Sequence, residues 1–333
     1  MKFNKIIILA LAATSMLAAC SDDDLSSQSI FDNNTTAADS TELDRWTKTN
    51  FTDVYNIRFY YRYNDKETDN YYNVIPADYN KSVALAIMVK HVWMDAYSEL
   101  LGTDFLKTNS PRIYQLIGSP EYDSNGSIVL GVAEGGVKVT LFRVNNIDID
   151  HPVIDVDSPQ PNTGAVPIDL NYWFFHTMHH EFCHILTQKK DYSTEFQTIS
   201  TGKYQTSNWI NVKDADAPAM GFVSGYASKE YNEDFAEIYS TYVTHTQDAW
   251  DGILEKSIKV KLDENGDTVY TVDKKTKELV PTYDTTGYEA IVSKLNLVKE
   301  YFKNEWGIDL DKLRTIVLRR SEEVSTLDLR HLK

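Results

Sequence analysis

Residues 171–188 read NYWFFHTMHHEFCHILTQ, and within them His180-Glu181-Phe182-Cys183-His184 is a His-Glu-x-x-His motif. Phe174, Phe175, Met178, Phe182 and Ile185 recur at helical spacing. Asp169 or Asn171 can cap the start, and Lys189-Lys190 suits the negative end of the helix dipole. At 3.6 residues per turn, positions four apart share a face, so His180 and His184 can offer two imidazole nitrogens to one metal ion. Zinc suits such ligands, because it accepts neutral imidazole and, with three protein ligands, keeps a place for a water whose pKa it lowers to about 7. Glu181, one residue past the first ligand, is placed to take that water's proton as general base. The plain alternative is a core helix with incidental histidines, each of which would cost free energy to bury without a partner.

The third ligand decides the type of site. His176 lies one turn before His180, but three ligands along two turns of one straight helix span about 12 Å, too far to meet one ion with bonds near 2 Å. His179 points about 100° away. The pattern with a third histidine six residues past the motif fails, since position 187 is Thr and position 190 is Lys. Downstream, residues 225–242 read GYASKEYNEDFAEIYSTY. Ser228 or Asn232 can cap a helix whose Phe235, Ile238, Tyr239 and Tyr242 face inward. Glu233 and Glu237 then stack four apart. One can bind the ion while the other hydrogen-bonds the far nitrogen of a ligating histidine.

His180-Glu181-x-x-His184 followed by Glu-x-x-Ala-Glu at 233–237 resembles the gluzincin clan of thermolysin-like zinc peptidases. Gly225-Tyr226, with the tyrosine seven residues ahead of Glu233, is similar in particular to the zinc domain of anthrax lethal factor. The resemblance implies His180, His184 and Glu233 as zinc ligands, Glu181 as base, Tyr226 as donor to the developing oxyanion, and Glu237 as the carboxylate that orients a ligating imidazole. Tyr231 and Tyr239 compete for the oxyanion role, but as helix residues they have no loop to aim them. The expected fold is α+β and zincin-like, a mixed sheet with the His-Glu-x-x-His helix beside it and a mainly helical C-terminal lobe. The expected activity is zinc-dependent hydrolysis of peptide bonds. A substrate-binding lipoprotein that kept the fold without cutting is the rival, and an intact Glu181 argues against it, since a binding site needs no base.

Residues 1–19 carry Lys2 and Lys5, an apolar run over 6–13, and then Leu17-Ala18-Ala19-Cys20. This resembles a bacterial lipoprotein signal peptide, which implies cleavage before Cys20 and acylation of its thiol. Residues 20–40, rich in Ser, Asp, Asn and Thr, read as a flexible tether, and residues 41–333 as the peptidase domain. Asp22-Asp23-Asp24 behind the lipid resembles a surface-export tag, so an outer-membrane lipoprotein at the cell surface is expected. Lipobox, tether and glutamate helix together are similar to the import-associated zinc metallohydrolase lipoproteins, which implies a place beside outer-membrane uptake machinery.

Loss of the leader takes 33 basic side chains to 31 against 49 acidic ones, moving the net charge from −16 to −18. Such a field makes nucleic acid a poor partner and leaves the lipid on Cys20 as the link to a membrane. Of the two cysteines, Cys20 is lipidated on this reading and Cys183 sits in the metal helix, so no disulfide forms and a hydrophobic core must supply stability. Alternation predicts a strand over 54–63, with Tyr55, Ile57, Phe59, Tyr61 and Tyr63 on one face, buried rather than presented to sugar rings. Helices are expected over 79–101, ended by Gly102, and over 288–306 and 310–320. Strands are expected over 112–118 and 127–145, with turns at 123–126 and 135–136 and the strand 137–144 edging the site, where extended substrate can pair with it. An Asn-Gly hairpin is expected around 263–267.

Overall fold

A computed structural model describes residues 40–64, 73–122, 128–129, 131–134, 137–159 and 164–333. The leader 1–19, Cys20, the tether up to residue 39 and the turns expected at 123–126 and 135–136 lie outside the described residues. One sheet carries strands β1 (Arg58–Tyr60), β2 (Ile113–Leu116), β3 (Gly131–Glu134) and β4 (Lys138–Leu141) in the order β1-β2-β4-β3. The first three neighbours run parallel and β3 returns antiparallel, with Phe59, Tyr114, Val139 and Ala133 in register across it.

The strand expected over 54–63 is shorter than its alternation suggests. Asp53–Tyr55 is helical and Asn56 takes a left-handed φ of 59° before Arg58–Tyr60 pairs. Burial still alternates: Tyr55, Ile57, Phe59 and Tyr61 are buried, while Tyr63 is 42% exposed. This aromatic face is therefore core. The strand expected to edge the site runs only over Lys138–Leu141 and is interior, flanked by β2 and β3. Among the described residues strand β3 is an edge strand, as is β1 at the other end, and β3 packs along the His-Glu-x-x-His helix.

Helix α1 spans Tyr79–Met88, passes through a π turn at Val89–Met94 and closes over Asp95–Leu101; Asp78 caps it by accepting from the Lys81 amide at 3.0 Å. Gly102, at φ 83°, ends it as expected. The His-Glu-x-x-His helix α2 (Thr177–Lys189) is preceded by a π turn over Asn171–His176. Asp169 is its cap, accepting from the amides of Asn171 at 3.0 Å and Tyr172 at 3.3 Å, whereas Asn171 turns its side chain to the carbonyls of Asp155 and Thr244. Helix α3 (Tyr231–Thr244) crosses α2 and also packs on α4 (Thr286–Trp306) and α5 (Leu310–Glu323). The C-terminal helices thus share one core with the sheet side, and Leu43–Lys333 form one compact unit. Among the described residues no helix is long and apolar enough to cross a membrane.

Aromatic packing fixes where the polar faces of α2 and α3 meet. Phe182 of α2 lies edge-on to Trp93 at 5.1 Å and Tyr97 at 5.2 Å, both from α1, while Tyr239 of α3 stacks on Phe302 of α4 at 4.2 Å. Each such ring, wholly buried, contributes roughly 1.5–3 kcal/mol by removal from water. With Phe182 and Tyr239 both anchored against Tyr97 in one shared core, His180 and His184 face Glu233 and Glu237 across the helix crossing. Farther on, the turn at 263–267 forms as expected, with Asp263 donating its amide to the Asp267 carbonyl and Gly266 at φ 86°. Its strands then pair with the segment 279–284: Tyr270–Val272 with Leu279–Pro281, and Lys259–Val260 with Tyr283–Asp284.

Candidate metal centre

The i, i+4 pairs on two crossing helices converge on one point. His180 Nε2 and His184 Nε2 are 3.1 Å apart, and Glu233 Oε2 lies 3.1 Å from each. His180 and Glu233 are buried and His184 is partly so. Four-coordinate bonds of about 2.0–2.1 Å at tetrahedral angles set ligand atoms about 3.3–3.4 Å apart, so the observed triangle fits a small divalent cation to within a few tenths of an ångström. Two imidazole nitrogens and a carboxylate oxygen form a donor set suited to zinc.

Electrostatics asks for positive charge at the same point. Burial works against an imidazolium at His180, yet hydrogen bonds to Glu233 and Glu237 lift its pKa to about 10. Burial likewise opposes ionisation of Glu233, but hydrogen bonds with His180 and His184 outweigh it and hold the carboxyl far below its ordinary range. A divalent cation meets the demand that a proton on His180 would otherwise meet.

Glu237, one turn on from Glu233, backs the first histidine. Its Oε1 lies 2.9 Å from His180 Nδ1 and its Oε2 accepts from Ser224 Oγ at 2.6 Å. Burial alone would raise its pKa, but His176 and the bond with His180 lower it to about 2. An ionised carboxylate only accepts, so Nδ1 carries the hydrogen and Nε2 is the nitrogen turned to Glu233 and His184, free to ligate. His176 Nε2 meets Ser240 Oγ at 2.9 Å, and His179 Nδ1 meets the Tyr97 hydroxyl at 2.9 Å. Both are core histidines, and burial drives His179 down to about 3. Cys183 is a buried free thiol.

Glu181 lines a cavity of about 600 Å³ together with His184, Tyr192, Glu230, Tyr231 and Asn232. Tyr226 lies on a 3-10 turn, Tyr226–Ser228, its ring 5.8 Å from that of His180, and its hydroxyl donates to Glu233 Oε1 at 2.8 Å. Burial, and then the Glu233 charge, push the phenol pKa up, so it stays a proton-bearing donor. The Trp209 ring holds it edge-on at 4.9 Å. Gly225 permits this: a Cβ there would lie 2.2 Å from the Val212 carbonyl, and the Gly225 amide donates to Asp214 Oδ1 at 2.7 Å. Neither Ser228 nor Asn232 caps α3. Ser228 Oγ donates to the Gly225 carbonyl at 2.6 Å, closing the tyrosine's turn, and Asn232 accepts from Tyr192.

Two features escaped the motif reading. Lys229 Nζ donates to Glu233 Oε1 at 2.8 Å, an ion pair made from the turn ahead of α3, across the extended Glu230. Beneath Glu233, Asp234 is wholly buried against Lys294 at 2.6 Å, with the Tyr204 hydroxyl donating at 2.9 Å and Lys294 also donating to the Gly221 carbonyl at 2.7 Å. Lys294 is distant in sequence, and no local period points to it.

A family model described as "Putative zinc-binding metallo-peptidase" matches residues 36–311. A crystal structure described as a putative zinc-binding metallo-peptidase from Bacteroides caccae is similar at 34% identity and a TM-score of 0.65, over 89% of this chain and 99% of that one. No curated protein matches the chain significantly.

Proposed function

Because the chain belongs to the zinc-binding metallo-peptidase family matched over residues 36–311, we propose that it hydrolyses peptide bonds by the gluzincin mechanism. The observation that carries the reading is the 3.1 Å triangle of His180, His184 and Glu233, with Glu181 on the cavity beside it. Those three side chains would hold zinc, which would supply a Lewis acid that lowers the pKa of a water to about 7. Glu181 accepts that water's proton and later delivers it to the leaving amine. Tyr226 turns its hydroxyl from Glu233 to the substrate oxygen on which negative charge develops. Glu237, braced by Ser224, keeps the His180 ring in the tautomer and plane that ligation needs. The edge strand β3 pairs with an extended peptide, and the cavity receives a side chain next to the scissile bond.

We carry forward the lipid anchor on Cys20 and a post at the outer-membrane surface beside nutrient-uptake machinery as part of the same proposal, supported by the lipobox and the acidic tether. Digestion of a peptide library by the zinc-loaded protein tests the chemistry. Cleavage by the wild type that falls by about 100-fold or more in Glu181→Gln at equal zinc content supports it. Capture of peptides without cleavage, unaffected by Glu181→Gln, would favour the binding lipoprotein instead.

A further inference from the structure

Glu233 has two oxygens with different surroundings. Oε2 faces both imidazole nitrogens, whereas Oε1 accepts from the Tyr226 hydroxyl and from Lys229 Nζ, each at 2.8 Å, with Nζ 3.3 Å from the hydroxyl. A phenol has one proton to give, so Tyr226 cannot donate to Oε1 and to a substrate oxyanion at once. When it turns away, Oε1, on a side chain only 10% exposed, loses a donor. An ammonium has three hydrogens and can keep one on Oε1 throughout. Lys229 directly follows the Tyr226–Ser228 turn, ahead of the extended Glu230 that opens α3, and its charge sits 5.1 Å from the centre of the Tyr226 ring, so one side chain reaches both.

Resting on the reading of Glu233 as ligand and Tyr226 as oxyanion donor, we propose that Lys229 is a positioning residue that holds Glu233 Oε1 and thereby frees the Tyr226 hydroxyl for the substrate. Tyr226 would then be dispensable for holding the ion so long as Lys229 is present.

The test is a double-mutant cycle on zinc affinity, read by chelator competition, with turnover measured beside it. Lys229 is partly exposed, so its variants are expected to fold. Lys229→Met should weaken zinc binding by about 10- to 100-fold, the range for residues that orient ligands, and Lys229→Arg should restore most of it. Tyr226→Phe alone should lower kcat yet leave zinc affinity within about threefold of wild type, while the double variant should lose more affinity than the product of the two singles. Zinc affinity in Lys229→Met within about twofold of a zinc-binding wild type would overturn the role of Lys229 and leave the peptidase reading standing. A loss in Tyr226→Phe as large as in Lys229→Met would likewise overturn it, because the phenol would then be the holder. A wild type that binds no zinc overturns both.

Discussion

Lys294→Met puts the buried base of the centre to a quantitative test. Lys294 and Asp234 are both fully buried, and the lysine gives one hydrogen bond to Asp234 at 2.6 Å and another to the Gly221 carbonyl at 2.7 Å, with its charge 4.2 Å from the Phe222 ring. Methionine nearly preserves the volume but strands the Asp234 carboxylate with only the Tyr204 hydroxyl. Removing one partner of a buried pair costs roughly 3–5 kcal/mol, mostly as the penalty for the charge left behind. For a unit of this size about 2 °C of Tm accompanies each kcal/mol, so a fall of about 6–10 °C is expected in thermal unfolding of the metal-free protein. Asp234→Asn on top of Lys294→Met removes the stranded charge and should recover a good part of the loss. Because Asp234 adjoins Glu233, the single variant should also bind zinc more weakly. A Tm within about 2 °C of wild type, or a double variant less stable than the single, would refute the reasoning.

Glu237→Ala, which unties His180 Nδ1, should weaken zinc binding by about 10- to 100-fold with a parallel fall in turnover, measured by chelator competition and peptide cleavage. Gly225→Ala drives a methyl against the Val212 carbonyl and shifts the turn that aims Tyr226, so kcat should fall by about 10-fold or more while zinc stays bound. Cys20→Ala should move the protein from the membrane to the soluble fraction; unchanged membrane association would remove the lipoprotein reading.

What the sequence made legible was local. The period of 3.6 in residues 171–188 and 231–242 placed two histidines and two glutamates on facing surfaces, because spacing along one helix is set by backbone geometry alone. The helix over 79–101 and its Gly102 stop belong to the same class. Sheet order does not, since alternation says which face of a strand is buried and nothing about its neighbours; hence the interior place of β4 and the edge place of β3 emerged only from the fold. The shortened first strand shows tertiary packing imposing a buried face on residues that are partly helical. The Lys229–Glu233 pair spans four positions but rests on the turn ahead of α3 rather than on helical geometry, and the Lys294–Asp234 pair joins residues 60 positions apart and carries no local signal.

The central claim is that His180, His184 and Glu233 form one zinc site, and zinc stoichiometry with affinity on the wild type and Glu233→Ala tests it most directly. The account predicts one zinc per chain in the wild type after growth with zinc, and a loss of affinity in Glu233→Ala well beyond the roughly 10- to 100-fold expected for a residue that only orients a ligand. A wild type without zinc, or Glu233→Ala with full affinity, would contradict it.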